Sequence, residues 1–284
     1  MYPDYPFPSN YLQLDNGRIH YIDEGTGPVV LMVHGNPTWS YYFRHLIAEL
    51  RGNHRVIALD HMGCGLSDKP ENYSYCLKQH IENLESLLAH LHIDRFSLVV
   101  HDWGGAIGMG CAVNDVTRVD KVVVMNTAAF RSSRIPLRIQ LCRLPVAGQI
   151  IVRLFNGFAW PATFMAVEKR LDPEVARAYL APYDSWKNRI AVYNFVRDIP
   201  LGPDHRSYAK LVEIEERLPL LRDSAVPVSI IWGGRDFCFN DDFFEEWKRR
   251  FPDASTHYFP DGGHYILEDK KTDIISILKA LFFV

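Results

Sequence analysis

The chain has 284 residues, of which 48% are hydrophobic and 23% charged, and its formal net charge at pH 7 is −3. This composition is typical of a globular protein with a large apolar core, and the net charge gives no indication of nucleic-acid binding. The first residues lack the features of a signal peptide, no apolar run is long enough to span a membrane, and the five cysteines are scattered, so we expect a cytoplasmic protein with reduced thiols.

Apolar runs and helical patterns alternate along the first 126 residues. The run 29–33 is apolar throughout, which is typical of a strand buried on both faces of a parallel sheet. A strand at 96–100 leads directly into a helix of small residues. Further strands are predicted at 18–23, 55–59 and 121–125, and further helices at 41–50 and 77–91.

The pattern changes after residue 126. No strand is predicted from there to about residue 215, and prolines separate a series of short helices. Strands at 228–232 and 255–259 and helices at 243–250 and 272–283 then restore the alternation. Repeated strand–helix units predict a mostly parallel sheet with helices on both faces. The expected organisation is an α/β core from residues 1–126 and 215–284, with an all-helical cap, residues 127–214, inserted over the ends of the strands.

The most informative stretch is residues 98–108, where an apolar strand stops at Asp102 and two glycines follow. Strand, sharp turn and small-residue helix are the pattern of a nucleophile elbow, which has serine at its tip in the G-x-S-x-G version. Gly104 and Gly105 let the helix start close to the strand, so that the tip can hold a strained conformation. The pattern therefore indicates Asp102 as a nucleophile.

Two more polar side chains follow late strands, Asp236 and His264. Together with Asp102 they occur in the order nucleophile, acid, histidine, as in an α/β-hydrolase triad. An aspartate is already ionised at neutral pH and needs no base for its attack. Displacement at an sp³ carbon would leave an ester on the enzyme. His264, held in one tautomer by Asp236, would then activate water against that ester or assist another breakdown route.

Asn36 and Trp103 are candidate donors to the leaving group, which gains negative charge as it departs. Their backbone N–H groups could in addition form an oxyanion hole. Each predicted site residue also has a structural interpretation, as a turn, cap or packing residue, but their shared position at strand ends favours catalysis. His34, His101 and Asp60 are interpreted as residues that hold loops. No histidine spacing suggests a metal site, and no cofactor is expected.

The segment 126–167 contains arginines but no acidic residue. One interpretation is an ordinary set of cap helices with solvated arginines. The other is an apolar entrance with a basic rim, which would dock a partner protein, an anionic membrane or a long-chain substrate. The arginines are Arg131, Arg134, Arg138, Arg143 and Arg153.

These motifs resemble the haloalkane-dehalogenase-like branch of the α/β-hydrolase superfamily over almost the whole chain. The resemblance is carried by residues 34–37, the Asp102 elbow, and the stretches 232–236 and 263–264. It implies the α/β-hydrolase fold, with an eight-stranded and mostly parallel sheet. The chain is similar to the subgroup that has its acid at Asp236 and an Asn36–Trp103 donor pair. The alternative position for the acid holds Asn126.

Three further segments, 125–130, 181–186 and 195–200, resemble the β-lactone decarboxylases of bacterial long-chain olefin biosynthesis. That resemblance implies a hydrophobic cis-β-lactone substrate with two long alkyl chains, which is converted to a cis-alkene and CO₂. It also implies a complex with a β-lactone synthetase and a reductase. In such an enzyme Asp102 would attack the lactone, and Asn36 and Trp103 would stabilise the oxyanion. Asp236 and His264 would serve the step that follows the attack.

Three other functions remain open at this point. Haloalkane hydrolysis would use the same five residues, with halide as the leaving group. Epoxide hydrolysis would need phenol acids from the cap, for which Tyr179, Tyr183 and Tyr193 are available. A ligand receptor on this fold would need no chemistry at all, and the intact triad argues against it.

Overall fold

The computed structural model describes residues 2–283, and its eight strands form one sheet in the order β1-β2-β4-β3-β5-β6-β7-β8. The pairs β1–β2 and β2–β4 are antiparallel, and all other neighbours are parallel. This confirms the predicted fold class. The strands are β1 (Asn10–Leu14), β2 (Gly17–Glu24), β3 (Val29–Val33), β4 (Arg55–Leu59), β5 (Phe96–Asp102), β6 (Val119–Thr127), β7 (Val228–Gly233) and β8 (Ser255–Phe259).

The predicted strands 29–33, 55–59 and 255–259 have the observed bounds, and the others extend by one or two residues at an end. The strand β1 has no counterpart among the predicted segments. It lies at the edge of the sheet, and its residues alternate between exposed and half-buried, with none in the core. An edge strand of this kind lacks the apolar run that marks the central strands.

The helices cover both faces of the sheet, and some of those between β6 and β7 pack together in a cluster of their own. The predicted helix 41–50 begins with a 3₁₀ turn at Ser40–Phe43 and is α-helical only afterwards. The helices are α1 (Arg44–Leu50), α2 (Leu77–His90), α3 (Trp103–Ala112), α4 (Leu137–Arg143), α5 (Ala147–Gln149), α6 (Ala159–Met165), α7 (Pro173–Leu180), α8 (Ile190–Arg197), α9 (Tyr208–Arg217), α10 (Pro219–Asp223), α11 (Asp241–Arg250), α12 (Ile266–Asp269) and α13 (Lys271–Phe282).

Residues 128–227 contain helices and turns but no strand, as the sequence pattern predicts. The proposed cap boundary between residues 214 and 215 falls inside α9, so the division at 126 and 214 stays a prediction.

The apolar core consists of a cluster on each face of the sheet and a third cluster in the cap. One face packs against α2, α3, α9 and α11, and the other packs against α1 and α13. The third cluster joins α4 to α8 and includes Val192, Tyr193 and Val196. These clusters fix the carboxyl ends of β3, β5, β6 and β7, and the predicted site residues lie at that edge.

Candidate active site

Asp102 lies at the sharp turn between β5 and α3, and its backbone has a φ of +52° and a ψ of −127°. This conformation is unfavourable for any residue with a Cβ atom, and the surroundings hold it in place. A Cβ atom on Gly104 would collide with the carbonyl of Val33, and one on Gly105 would collide with the side chain of Thr127. The hydroxyl of Thr127 donates to the carbonyl of Asp102. The elbow predicted from the sequence is therefore present.

The two oxygens of the Asp102 carboxylate have different surroundings. Oδ1 accepts the backbone N–H of Asn36 at 2.6 Å, and the N–H of Trp103 also donates to the carboxylate. Oδ2 lies 3.7 Å from Nε2 of His264, which is too far for a direct hydrogen bond. Burial raises the pKa of Asp102, against the opposing effects of His264 and the two N–H groups. Oδ1 is thus held by the N–H of Asn36, and Oδ2 lies on the side of His264.

His264 is oriented by Asp236, whose Oδ2 lies 2.7 Å from its Nδ1. A proton on Nδ1 donates to this carboxylate, so the neutral imidazole presents the lone pair of Nε2 towards Asp102. Burial by itself would lower the pKa of His264, but the charge and hydrogen bond of Asp236, and the charge of Asp102, outweigh it and raise the pKa. The structure thus brings the three predicted triad residues together in the order nucleophile, histidine, acid.

Asp236 is itself fixed by four donors. Its Oδ1 accepts the backbone N–H groups of Cys238 at 2.6 Å and Phe239 at 3.1 Å. Its Oδ2 accepts the amide of Asn126 at 3.0 Å as well as His264. With these bonds Asp236 has one orientation and so fixes the tautomer of His264.

Asn126 takes the alternative acid position but serves as a clamp between β6 and β7. Its side-chain NH₂ donates to Asp236 and to the carbonyl of Gly233, both at 3.0 Å, while its Oδ1 accepts the N–H of Gly233 at 2.8 Å. Asn126 and both of its partner residues are buried. The sequence marked Asn126 only as a non-acid, although its place at a strand end was a signal of function.

The carboxylate of Asp102 faces a cavity of about 290 Å³ beneath the cap. Asn36, Trp103 and His264 also line this cavity, and the rest of its wall is mostly apolar. One N–H of the Asn36 amide donates to the carbonyl of Val192 in α8 at 3.2 Å, and the second N–H remains for a bound molecule. Four polar groups at the base of an apolar cavity are the usual layout of a small-molecule site.

A sequence profile of the alpha/beta hydrolase fold family matches residues 28–271. The chain belongs to the alpha/beta hydrolase family. A cis-3-alkyl-4-alkyloxetan-2-one decarboxylase from Shewanella oneidensis is 43% identical over 281 residues, which cover 96% of this chain and 88% of that protein. A protein of the same name from Xanthomonas campestris is 40% identical, with coverages of 98% and 97%.

Haloalkane dehalogenases are also similar to this hydrolase. Haloalkane dehalogenase 2 from Mycobacterium bovis is 32% identical, with 98% of this chain and 96% of that protein covered. A crystal structure of a variant of the haloalkane dehalogenase DatA from Agrobacterium tumefaciens superposes with a TM-score of 0.87 at 25% identity, covering 98% and 97% of the two chains. These relatives support the alpha/beta hydrolase fold and the interpretation of this chain as an enzyme.

The residues interpreted from the sequence as holding loops contact backbone groups of neighbouring segments. His101 lies within 2.8 Å of the carbonyl of His264 through Nε2, and stacks on Tyr42. His34 lies within 2.6 Å of the carbonyl of Gly35 through Nδ1. Asp60 accepts backbone N–H groups from two loops, at distances of 2.7 and 2.8 Å. His101 therefore positions the backbone of the triad histidine.

The three cap tyrosines named for an epoxide reaction have other partners. Tyr179 donates to Glu268 at 2.5 Å, Tyr183 lies 3.4 Å from the carbonyl of Thr38, and Tyr193 donates to the carbonyl of Pro145 at 2.8 Å. None of the three lines the cavity. The site therefore offers no support for phenol acids from these residues.

A buried ion pair connects α12, which follows His264, to α1. Arg44 is 2% exposed and bonds to both oxygens of Glu268, at 2.6 and 2.9 Å. Tyr179 of α7 joins the same carboxylate. The sequence did not indicate this ion pair, because its residues lie far apart in the chain and belong to no motif.

Proposed function

We propose that this hydrolase is a β-lactone decarboxylase that converts a cis-3-alkyl-4-alkyloxetan-2-one into a cis-alkene and CO₂, with Asp102 as covalent nucleophile. The observation that carries the proposal is the 43% identity, across 96% of the chain, to a relative named for this reaction. The haloalkane dehalogenase relative reaches 32% over a similar length.

The hydrogen bonds of Asp102 give its two carboxylate oxygens different roles in the proposed reaction. We assign the attack to Oδ2 because it is the oxygen 3.7 Å from Nε2 of His264, whereas Oδ1 holds the N–H of Asn36 at 2.6 Å. Once Oδ2 has bonded to the substrate, Oδ1 becomes the carbonyl oxygen of the covalent intermediate. The N–H groups of Asn36 and Trp103 then act as its oxyanion hole.

The Asn36 amide and the Trp103 indole would stabilise the ring oxygen as the lactone opens. Both residues line the cavity beside Asp102. Charge that develops on this oxygen lies in an apolar enclosure, where hydrogen bonds from fixed donors stabilise it far more than in water.

The overall reaction balances without water. Attack on the alkyl carbon breaks its bond to the ring oxygen and leaves an alkyl ester of Asp102 with a free carboxylate on the substrate. Loss of CO₂ then breaks the bond between the carboxylate carbon and the neighbouring former ring carbon. The electron pair of that bond forms the double bond to the carbon that carries the ester, and the Asp102 carboxylate leaves. Attack on the carbonyl carbon would instead form an acyl intermediate. In either route the His264–Asp236 pair serves the breakdown step.

The deciding experiment supplies a cis-β-lactone and a 1-halohexane to the purified protein and measures alkene and free halide. We expect alkene from the lactone, and none from Asp102→Ala. The same lactone reaction is run in ¹⁸O-water, followed by mass analysis of the peptide that contains Asp102. Breakdown by elimination leaves that peptide unlabelled, whereas ester hydrolysis labels it. Halide release without alkene would refute the decarboxylase assignment.

The second candidate is haloalkane hydrolysis by the same five residues. It is favoured by the donor pair Asn36 and Trp103, whose groups suit a departing halide as well as an oxyanion, and by the dehalogenase relatives. Here His264 would activate water against the ester of Asp102.

Three further expectations are also part of the proposal, two from the sequence pattern and one, the protein complex, from the resemblance. The residues 127–214 act as a cap over the site, the protein assembles with a β-lactone synthetase and a reductase, and it works in the cytoplasm. All five cysteines are free thiols, which supports a reducing compartment. Co-purification of the three proteins after co-expression tests the complex, and its absence would contradict it. Among residues 2–283, no helix has the length and apolar character to cross a membrane.

A further inference from the structure

The first cap helices expose large apolar side chains in regular stripes. In α4 the exposed Leu137 and Leu141 are four residues apart, and the exposed Leu144 follows the helix. In α6 Trp160 and Phe164 are one turn apart with their rings 5.0 Å from each other. Such stripes normally face a protein core. We define the outer cap face as the exposed residues Leu137, Leu141, Leu144, Val146, Ile150, Leu154, Phe155, Trp160 and Phe164.

The outer cap face is also cationic. Residues 127–167 carry five arginines and no acidic side chain, although the whole chain has a net charge of −3. Arg131 and Arg134 pair with carboxylates outside this segment. Within residues 2–283 the other three, Arg138, Arg143 and Arg153, form no ion pair with a carboxylate. Arg138 stacks on Phe237, Arg143 donates to the carbonyl of Ile199, and Arg153 donates to the carbonyl of Trp186, so the three keep their positive charge without a carboxylate partner.

The helices that carry this face also form the wall of the active-site cavity. In α4, Ile139 and Cys142 line the cavity while Leu141 is exposed. In α6, Ala162 lines the cavity while Trp160 is exposed. A single layer of helix therefore separates the cavity from the outer cap face.

We propose that the outer cap face docks on the surface of an anionic lipid bilayer. Leucine, phenylalanine and tryptophan beside unpaired arginines are the composition by which peripheral helices bind such interfaces. A second copy of this chain fits less well, because a two-fold contact would bring the same arginines of both copies together. Docking would place the cavity wall in contact with acyl chains. Only this last consequence, delivery of an apolar substrate from the bilayer, depends on the proposed function.

The test is vesicle flotation of the full-length protein without substrate. Vesicles contain phosphatidylcholine alone or an equal mixture of phosphatidylcholine and phosphatidylglycerol, at low salt and at about 0.5 M NaCl, where charges are screened within a few ångströms. A triple variant, Leu137→Gln, Phe155→Gln and Trp160→Gln, changes residues that are 72%, 70% and 56% exposed and lie outside the cavity wall. The matched control changes two exposed apolar residues elsewhere, Tyr11→Gln and Leu220→Gln.

We expect the unchanged protein to float with the anionic vesicles and to bind phosphatidylcholine alone at least tenfold more weakly, a ratio estimated roughly from the attraction of surface arginines to anionic lipid. The triple variant should lose anionic-vesicle binding while its thermal unfolding stays like that of the control, which should still float. A protein that stays unbound with both vesicles would overturn the proposal. A triple variant that floats normally would also overturn the proposal. The same holds for a triple variant whose only change is that it no longer forms a dimer or binds a partner protein. Flotation needs no turnover, so a failure to bind vesicles would not affect the result of the decarboxylase assay.

Discussion

Replacement of Asn126 by aspartate probes the clamp that holds the acid of the triad. The substitution exchanges the buried NH₂ group for a carboxylate oxygen in the same place. The two groups that accept from Asn126, the carboxylate of Asp236 and the carbonyl of Gly233, each lie 3.0 Å away. Both hydrogen bonds become repulsive contacts between acceptors, in an interior where water cannot screen them.

The repulsion energy between two ionised carboxylates can be calculated from this distance. Two unit charges at 3.0 Å repel by about 5–6 kcal/mol even at an effective dielectric constant of about 20. Keeping one proton shared by the two carboxyls at pH 7 costs less, about 4 kcal/mol for a shift of about three pKa units. The protein therefore keeps the proton, and the pKa of the new carboxyl rises. A pKa raised by folding contributes stability below the unfolded value that is lost as the pH increases.

Urea unfolding at pH 5 and pH 7 measures this effect against the unchanged protein at each pH. The loss in free energy of unfolding should be about 4 kcal/mol at pH 7 and about 1.5 kcal/mol at pH 5. The control, Asn126→Ala, leaves the buried groups of Gly233 unpaired and should lose roughly 2–6 kcal/mol at both pH values. If the deficit of Asn126→Asp were equal at the two pH values, the reasoning about the shared proton would be wrong.

Three other outcomes follow from the site. Asp102→Asn should abolish alkene formation and raise Tm at pH 7, because burial raises the pKa of Asp102 and its charge destabilises the fold; the gain should vanish in acid, and a gain equal at all pH values would contradict this. The raised pKa of His264 places the acid limb of the rate profile above about pH 6.5, and Asp236→Asn should move it lower, so an unmoved limb would refute that cause. Glu268→Gln should lower the free energy of unfolding in urea by about 3–5 kcal/mol, because Arg44 stays buried without a charged partner; a loss below about 1 kcal/mol would show the pair to be dispensable.

The central strands and the elbow could be predicted because local sequence determines them. The run 29–33 is apolar at every position, and only a strand with two buried faces requires that. Likewise, only small residues fit at positions 104 and 105, where the helix passes the carbonyl of Val33 and the side chain of Thr127. The edge strand Asn10–Leu14 has no such constraint and left no clear pattern.

The proximity of Asp102, Asp236 and His264 could be predicted from their positions at strand ends, since parallel strands bring those ends together. Their catalytic roles, and those of Asn36 and Trp103, stay predictions. The groups that support the triad could not be predicted. Asn126 becomes a clamp only because Gly233 and Asp236 lie beside it across the sheet. Arg44 and Glu268 are separated by 224 positions and meet only through the fold. Neither pairing has a periodic or local signature, so side-chain geometry was needed to find them.

The chemistry at Asp102 does not by itself choose between a lactone and a haloalkane. Both substrates need an attacking carboxylate oxygen, a held Oδ1 and donors for the leaving group, and the site has all of these. The two reactions part after the covalent intermediate forms, because hydrolysis needs water at the ester and elimination does not. The mostly apolar cavity wall disfavours ordered water next to Asp102, except near His264. Access of water to that one point, set by the position of His264, therefore decides which product leaves.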